Sequence, residues 1–210
     1  DKMDYLVSVQ SADLMLASRA HELAAKDPDF REFAGKSFRG NMNTTTIKTA
    51  KGRTMMLQHD VSSPRPYSRI HLVSGTKGIA QKYPLEGKEG RGRISQSHEW
   101  VSEEEYRKLE KQYQPEIVKR IGELAKQVGG HGGMDFLMDW RLIDCLRNGL
   151  PLDQDVYDAA SWSAIAPLTE QSNARRSTSV DIPDFTQGAW KTNAPVDISM
   201  VKGGNTRVKS

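Results

Sequence analysis

Gly129-Gly130-His131-Gly132-Gly133 sets one imidazole among four glycines. Glycine frees the backbone for conformations closed to other residues and leaves the ring without side-chain cover. Met134, Phe136, Leu137, Trp140, Ile143 and Leu146 follow at roughly helical spacing, so His131 stands at the entrance to a helix. A histidine there can meet a polar or anionic ligand, or can serve as a joint that hydrogen-bonds a nearby carbonyl.

Other chemical signals are weaker. Neither G-x-G-x-x-G nor G-x-x-x-x-G-K-[ST] occurs, and Asp135 occupies the third glycine position that Gly130-His131-Gly132 would need. The glycine run also follows a helical segment, whereas a dinucleotide loop follows a strand. No G-x-S-x-G elbow is present. His21, His59, His71, His98 and His131 lack H-E-x-x-H and paired-Cys spacing, so no metal is expected, although His59-Asp60 and His71 could meet across a hairpin. The 27 acidic residues permit two-carboxylate glycosidase chemistry, but their spacing singles out no pair. Cys145, the single cysteine, lies in an apolar helical pattern and reads as buried packing.

The elements that must position these residues follow from composition and periodicity. At 210 residues, 37% hydrophobic, the chain fits one ordinary globular domain or half of a two-domain enzyme. Mean hydropathy is −0.64, and no apolar run approaches the roughly 18 residues of a membrane span. The net charge of +3 is spread out; Arg91-Gly92-Arg93 and Arg175-Arg176 are short and lack interleaved aromatics, so no nucleic-acid partner is expected. The chain opens directly on a strand, Asp1 to Val7, with neither initiator Met nor signal sequence, and is expected to be trimmed.

A helix is predicted from about Ala12 to Ala25, ended by Asp27-Pro28. Thr44–Thr49 and Thr54–His59 flank Lys51-Gly52 as a hairpin. Ser68–Ser74 and a strand from Ile79 flank a Gly75–Gly78 turn. Ser102 caps a long helix whose stripe is Tyr106, Leu109, Tyr113, Ile117, Ile121, Leu124 and Val128, with a kink expected at Pro115. The helix after His131 ends near Gly149, and Asp153 is expected to cap a third through Tyr157, Trp162, Ile165 and Leu168. Trp140 and Trp162 read as core, and Arg65 and Arg69 as surface or salt-bridged. The fold class is α+β: an open, mainly antiparallel sheet with helices packed on one face. Its free face suits homodimerisation or a higher oligomer. Residues 193–210 read as a loosely ordered tail.

Three blocks together carry more specific information. They are Asn43–Thr49 continuing to His59-Asp60-Val61-Ser62-Ser63-Pro64-Arg65-Pro66-Tyr67-Ser68-Arg69; Gly130-His131-Gly132-Gly133-Met134-Asp135-Phe136 continuing through Leu146-Arg147-Asn148-Gly149-Leu150-Pro151-Leu152-Asp153 to Ala160; and Val180-Asp181-Ile182-Pro183-Asp184-Phe185-Thr186. In these blocks the chain resembles the C-terminal half of glycoside hydrolase family 109, NAD-dependent α-N-acetylgalactosaminidase-type enzymes of the Gfo/Idh/MocA oxidoreductase superfamily.

The resemblance implies that residues 1–192 are a substrate-binding and dimerisation domain, and that the Rossmann domain holding the NAD is absent from this chain. It implies hydrolysis of terminal N-acetylgalactosaminides by transient oxidation at C3, elimination, water addition and re-reduction, with NAD as cofactor and no metal. Tyr67 corresponds to a family tyrosine that contacts substrate, and His131 lies in the family's Gly-His-Gly-Gly element near the sugar. The proton-transfer residues are not assigned. A periplasmic, cell-envelope or secreted location is implied by the resemblance alone. The alternatives are an NAD(P)-dependent sugar dehydrogenase of the same superfamily, or a non-catalytic module for sheet-mediated assembly or glycan binding.

Overall fold

A computed structural model describes residues 1–66, 69–83 and 92–193, and these divide into two compact units. The first unit takes residues 1–64 and 154–193, from both ends of the described chain; the second takes 65–153. The α+β class holds, with open antiparallel sheets, but the strands fall into two sheets. Between the strand Thr54–His59 of the first sheet and the strand His71–Gly75 of the second lie Pro64 and Pro66, whose nitrogens cannot donate to a ladder.

In the first unit, β1 (Met3–Gln10), β2 (Asn43–Thr49), β3 (Thr54–His59) and β7 (Val180–Asp181) are ordered β3-β2-β1-β7, each neighbour pair antiparallel. Leu6 faces Ile47 and Ser8 faces Thr45, and period-2 alternation buries all four on one face. Leu6, Ile47, Leu168 and Ile182 form the core cluster, each contributing roughly 2 kcal/mol by leaving water. Leu168 belongs to α6 (Ile165–Ala174), which packs on β1. The open face carries Tyr5, Val9 and Met56, all exposed. β7 pairs with β1 at Tyr5 and Leu6 and then stops. Where the ladder would continue, the Ser8 N–H donates to Ser172 Oγ (3.0 Å), and that hydroxyl donates to the Thr178 carbonyl (2.8 Å). A side chain of α6 thus completes the sheet edge.

Helix α1 (Met15–Lys26) ends at Asp27-Pro28 as expected, and its first amides are satisfied by Asn41 Oδ1, which accepts from Leu14 N–H and Met15 N–H. The predicted third helix is two: α5 (Val156–Ser163) and α6 meet at Ala164, and Pro167, which has no N–H, sits in the first turn of α6 where no donor is needed. Its cap is Asp155, which accepts from Tyr157 N–H and Asp158 N–H, and not Asp153. Trp162 is 55% exposed, contrary to its expected place in the core.

The second unit carries β4 (His71–Gly75), β5 (Gly78–Lys82) and β6 (Gly92–Ser95) in that order, all antiparallel. Pro115 breaks the long helix outright into α2 (Glu103–Tyr113) and α3 (Glu116–Val128). It forces Gln114 to an extended ψ of 127° and becomes the cap of α3. α4 (Met134–Asn148) ends on Gly149 in the left-handed conformation.

The last of the three sequence blocks forms a tight loop around Asp184. Its carboxylate accepts from Thr186 Oγ1 (2.7 Å), Thr186 N–H (3.0 Å), Gly188 N–H (3.0 Å) and Trp190 Nε1–H (3.0 Å). The Thr186 hydroxyl, followed by these other donors, holds the Asp184 carboxyl below its ordinary value against the opposing effect of burial. The loop's contribution to stability is therefore complete above the unfolded carboxylate value of about 3.9 and is lost as pH falls through the lower folded value. Urea unfolding midpoints are expected to fall more steeply below about pH 4 in the parent chain than in Asp184→Asn. Parallel curves would refute the assignment.

Candidate functional site

Between α3 and α4, residues 129–133 all have positive φ: 93°, 76°, 46°, 71° and 99°. His131 is the one non-glycine among them, and an L-residue in this region bears a cost of about 1–2 kcal/mol. The turn is closed by the Gly130 carbonyl, which accepts from Gly133 N–H (2.9 Å) and Asp135 N–H (3.3 Å). Packing imposes a second requirement. A Cβ at Gly133 would lie 2.7 Å from the Ala125 carbonyl carbon and 2.8 Å from its oxygen, and one at Gly130 would lie 2.9 Å from Asp135 Cβ and Oδ2. Gly129 and Gly132 have open space at the same position and are selected by dihedral alone.

On this turn His131 Nδ1 lies 2.8 Å from Asp135 Oδ2, with side chains 77% and 49% exposed. Asp135 sits in the first turn of α4, where the helix dipole favours a carboxylate. The i, i+4 relation was present in the sequence, but the positive φ of His131 that turns the ring onto Asp135 was not. Tyr67, the other expected substrate residue, lies outside the described residues.

The far side of α4 is fixed by ions. Arg141 Nε and Nη2 donate to the two oxygens of Asp153 at 2.9 and 2.8 Å, a bidentate fork. Arg141 Nη1 also reaches Asp144 Oδ2 at 3.3 Å, and Asn148 Nδ2 donates to Asp144 Oδ1 at 3.1 Å; the Asp144 side chain is fully buried. Asp153, expected as a helix cap, is thus the anchor of the segment leaving α4. The adjacent Cys145 is buried, as expected for packing, and burial pushes its thiol up. Trp140 is buried as expected, with the Arg120 guanidinium 5.4 Å from its ring centre.

His59 Nδ1 accepts from Arg39 Nη1 (2.8 Å), while His71 meets the Tyr83 ring edge-on. Among the described residues no group of three or more His, Cys, Asp and Glu converges to hold a metal ion. Two shallow grooves run along α2, lined by Tyr106, Arg107 and Glu110, and neither includes His131. No described helix is long and apolar enough to cross a membrane.

The family model described as Glycosyl hydrolase 109, C-terminal domain, matches residues 1–192. The chain belongs to glycosyl hydrolase family 109. A glycosyl hydrolase family 109 protein of Shewanella amazonensis is 48% identical over 202 residues, covering 94% of this chain and 43% of the relative. A family 109 protein of Shewanella baltica is 47% identical over 199 residues, and a second family 109 protein of Shewanella sp. strain ANA-3 is 46% identical over 198; each aligns with 94% of this chain and 42% of its own length. The chain therefore spans less than half the length of these curated family 109 relatives.

Two glycines separate the requirements of packing and dihedral. Gly132→Ala is expected to cost about 1–2 kcal/mol from the left-handed backbone alone. Gly133→Ala should cost about 1–3 kcal/mol more, because the Ala125 backbone must move. Urea denaturation of the two variants measures the difference, and equal losses would show that the approach of α3 to the turn is not limiting.

Proposed function

We propose that this chain is the substrate-facing half of an NAD-dependent glycosidase. In this reading the enzyme hydrolyses terminal N-acetylgalactosaminides by transient oxidation at C3, elimination, water addition and re-reduction. The observation that carries the reading is the exposed His131, held by Asp135 on a glycine turn in a family 109 chain. A neutral sugar calls for directional hydrogen-bonding groups, and an imidazole fixed at one nitrogen presents its other nitrogen in a defined direction. Tyr67 is the second proposed sugar contact.

The glycine turn does not fit the dinucleotide itself. It follows a helix, the Gly133 and Asp135 amides are already bonded to the Gly130 carbonyl, and a carboxylate stands beside it where a pyrophosphate would need bare N–H groups. In this reading NAD is held by the part of the longer relatives that this chain does not span. The sugar, and not the cofactor, is the ligand of His131.

The direct test is the full-length protein with a nitrophenyl N-acetylgalactosaminide. Phenol release without net NADH is the expected result, and stoichiometric NADH would instead mark a sugar dehydrogenase. The isolated 210 residues are expected to release no sugar, and turnover by them would overturn the division of labour.

The same reading assigns a second copy of the chain to the open face of the first sheet. Tyr5, Val9 and Met56 are exposed there beside Thr46, and an open sheet face left apolar favours association. Light scattering at micromolar concentration is expected to give a dimer or larger species, and Met56→Lys to shift it toward monomer. A parent chain that is strictly monomeric would sink this assignment.

A further inference from the structure

The two nitrogens of His131 have different surroundings. Nδ1 faces Asp135 Oδ2 at 2.8 Å, whereas Nε2 has no hydrogen-bond partner among the described residues. A carboxylate can accept but not donate, so this contact requires the proton on Nδ1. In the neutral ring, that leaves the lone pair on Nε2, on a side chain that is 77% exposed.

Several independent constraints hold this arrangement. His131 is kept at φ 46°, within five successive positive-φ residues. Any side chain at Gly130 would collide with the Asp135 carboxylate, and any at Gly133 would push the turn off the α3 backbone. Two of the turn's hydrogen bonds run through one acceptor, the Gly130 carbonyl, next to the residue they position. A loose surface pair needs none of these features, and most exposed ion pairs have none.

We infer that Asp135 is a positioning residue that locks His131 in the Nδ1–H tautomer, making Nε2 a hydrogen-bond acceptor for an O–H or N–H group of the substrate. This rests on the reading of His131 as a sugar contact and sharpens it into a rule of selectivity. The site takes ligands that donate, such as a sugar hydroxyl or an acetamido N–H. With the ring neutral, it turns away groups that can only accept, such as a carboxylate or phosphate oxygen, which would face both a lone pair and the Asp135 carboxylate behind it. The carboxylate also makes Nε2 a stronger acceptor by polarising the ring, as it does for metal-bound histidines.

The tautomer can be read without any activity. Imidazole nitrogen shifts of the 15N-labelled 210-residue chain, recorded at alkaline pH so that the ring is neutral and with His131 identified by its loss in His131→Gln, are expected to show Nδ1 protonated and Nε2 bare. An Nε2–H tautomer overturns the lock even if no variant folds. In Asp135→Asn the carboxamide can donate as well as accept, and His131 is expected to shift toward the Nε2–H form; an unchanged tautomer overturns the role of Asp135.

The consequence for substrate is read in the full-length enzyme. Asp135→Asn is expected to raise KM for the nitrophenyl N-acetylgalactosaminide about tenfold, the equivalent of one hydrogen bond, with kcat within about threefold of the parent. Asp135→Glu, which keeps the acceptor, should recover part of the loss. The corresponding nitrophenyl galactoside distinguishes the two donors: a loss that persists identifies a hydroxyl, and one that vanishes identifies the acetamido N–H. An unchanged KM refutes the recognition role. A full-length parent that releases no phenol refutes the glycosidase reading and the sugar at Nε2, while the tautomer stands or falls on the nitrogen shifts.

Discussion

The close approach of Gly133 to the Ala125 carbonyl governs whatever chemistry the turn between α3 and α4 can offer. One helix must stop, reverse and begin again within a few residues, and the backbone of the new helix comes so near the old one that no Cβ fits between them. Dense packing of backbone on backbone leaves little room for relaxation, so the turn has one arrangement available to it. His131 is displayed, and Asp135 lies beneath it, because main chain has been wedged against main chain and not because the two side chains found each other. An exposed pair of this kind has little stability of its own to contribute. Its order is borrowed from the helices on either side.

Much of this was legible in the chain. The β-branched run of residues 44–49, with Gly52 beyond it, reads as one arm of a hairpin because a sheet's period of two leaves its mark on any strand with one buried face. The ends of α1 and α4 are written in Asp27-Pro28 and Gly149. His131 could be singled out because four glycines around one titratable side chain have few explanations. The illegible parts share a cause. β7 is two residues long and carries no period, and its pairing with β1 depends on a helix hydroxyl at Ser172. The first turn of α1 is capped by Asn41, 27 residues away from Leu14. A proline's power to break or merely bend a helix depends on neighbouring packing, so Pro115 was recognised but its effect understated. For the site, sequence spacing put Asp135 one turn after His131, yet the ring's direction is set by a dihedral that the residue types do not announce.

Polar groups in the sheet unit show how hydroxyls can stand where a larger core would use hydrocarbon. Ser8, Thr45 and Ser172 are buried, and each is satisfied: Ser8 Oγ and Thr45 Oγ1 share a 2.9 Å contact, and Asn43 reaches both. A buried hydroxyl left unpaired costs about 1–3 kcal/mol, so such a network rewards a single register of β1 on β2 and penalises any slip. The apolar cluster supplies much of the driving force, and the hydroxyls make the pairing unique.

The sheet unit is assembled from the two ends of the described chain, and this has a consequence for how the protein is made. During synthesis β1 leaves the ribosome well before the acceptor for its Ser8 amide, because Ser172 follows 164 residues later. The described part of the second unit, residues 65–153, is translated in the interval. Until α6 and β7 arrive, the nascent β3-β2-β1 meander presents a bare edge at β1, the sort of edge that recruits strands from neighbouring chains. The long middle segment therefore acts as a delay, and the window for mispairing is set by translation speed and not by the intrinsic folding rate of either unit.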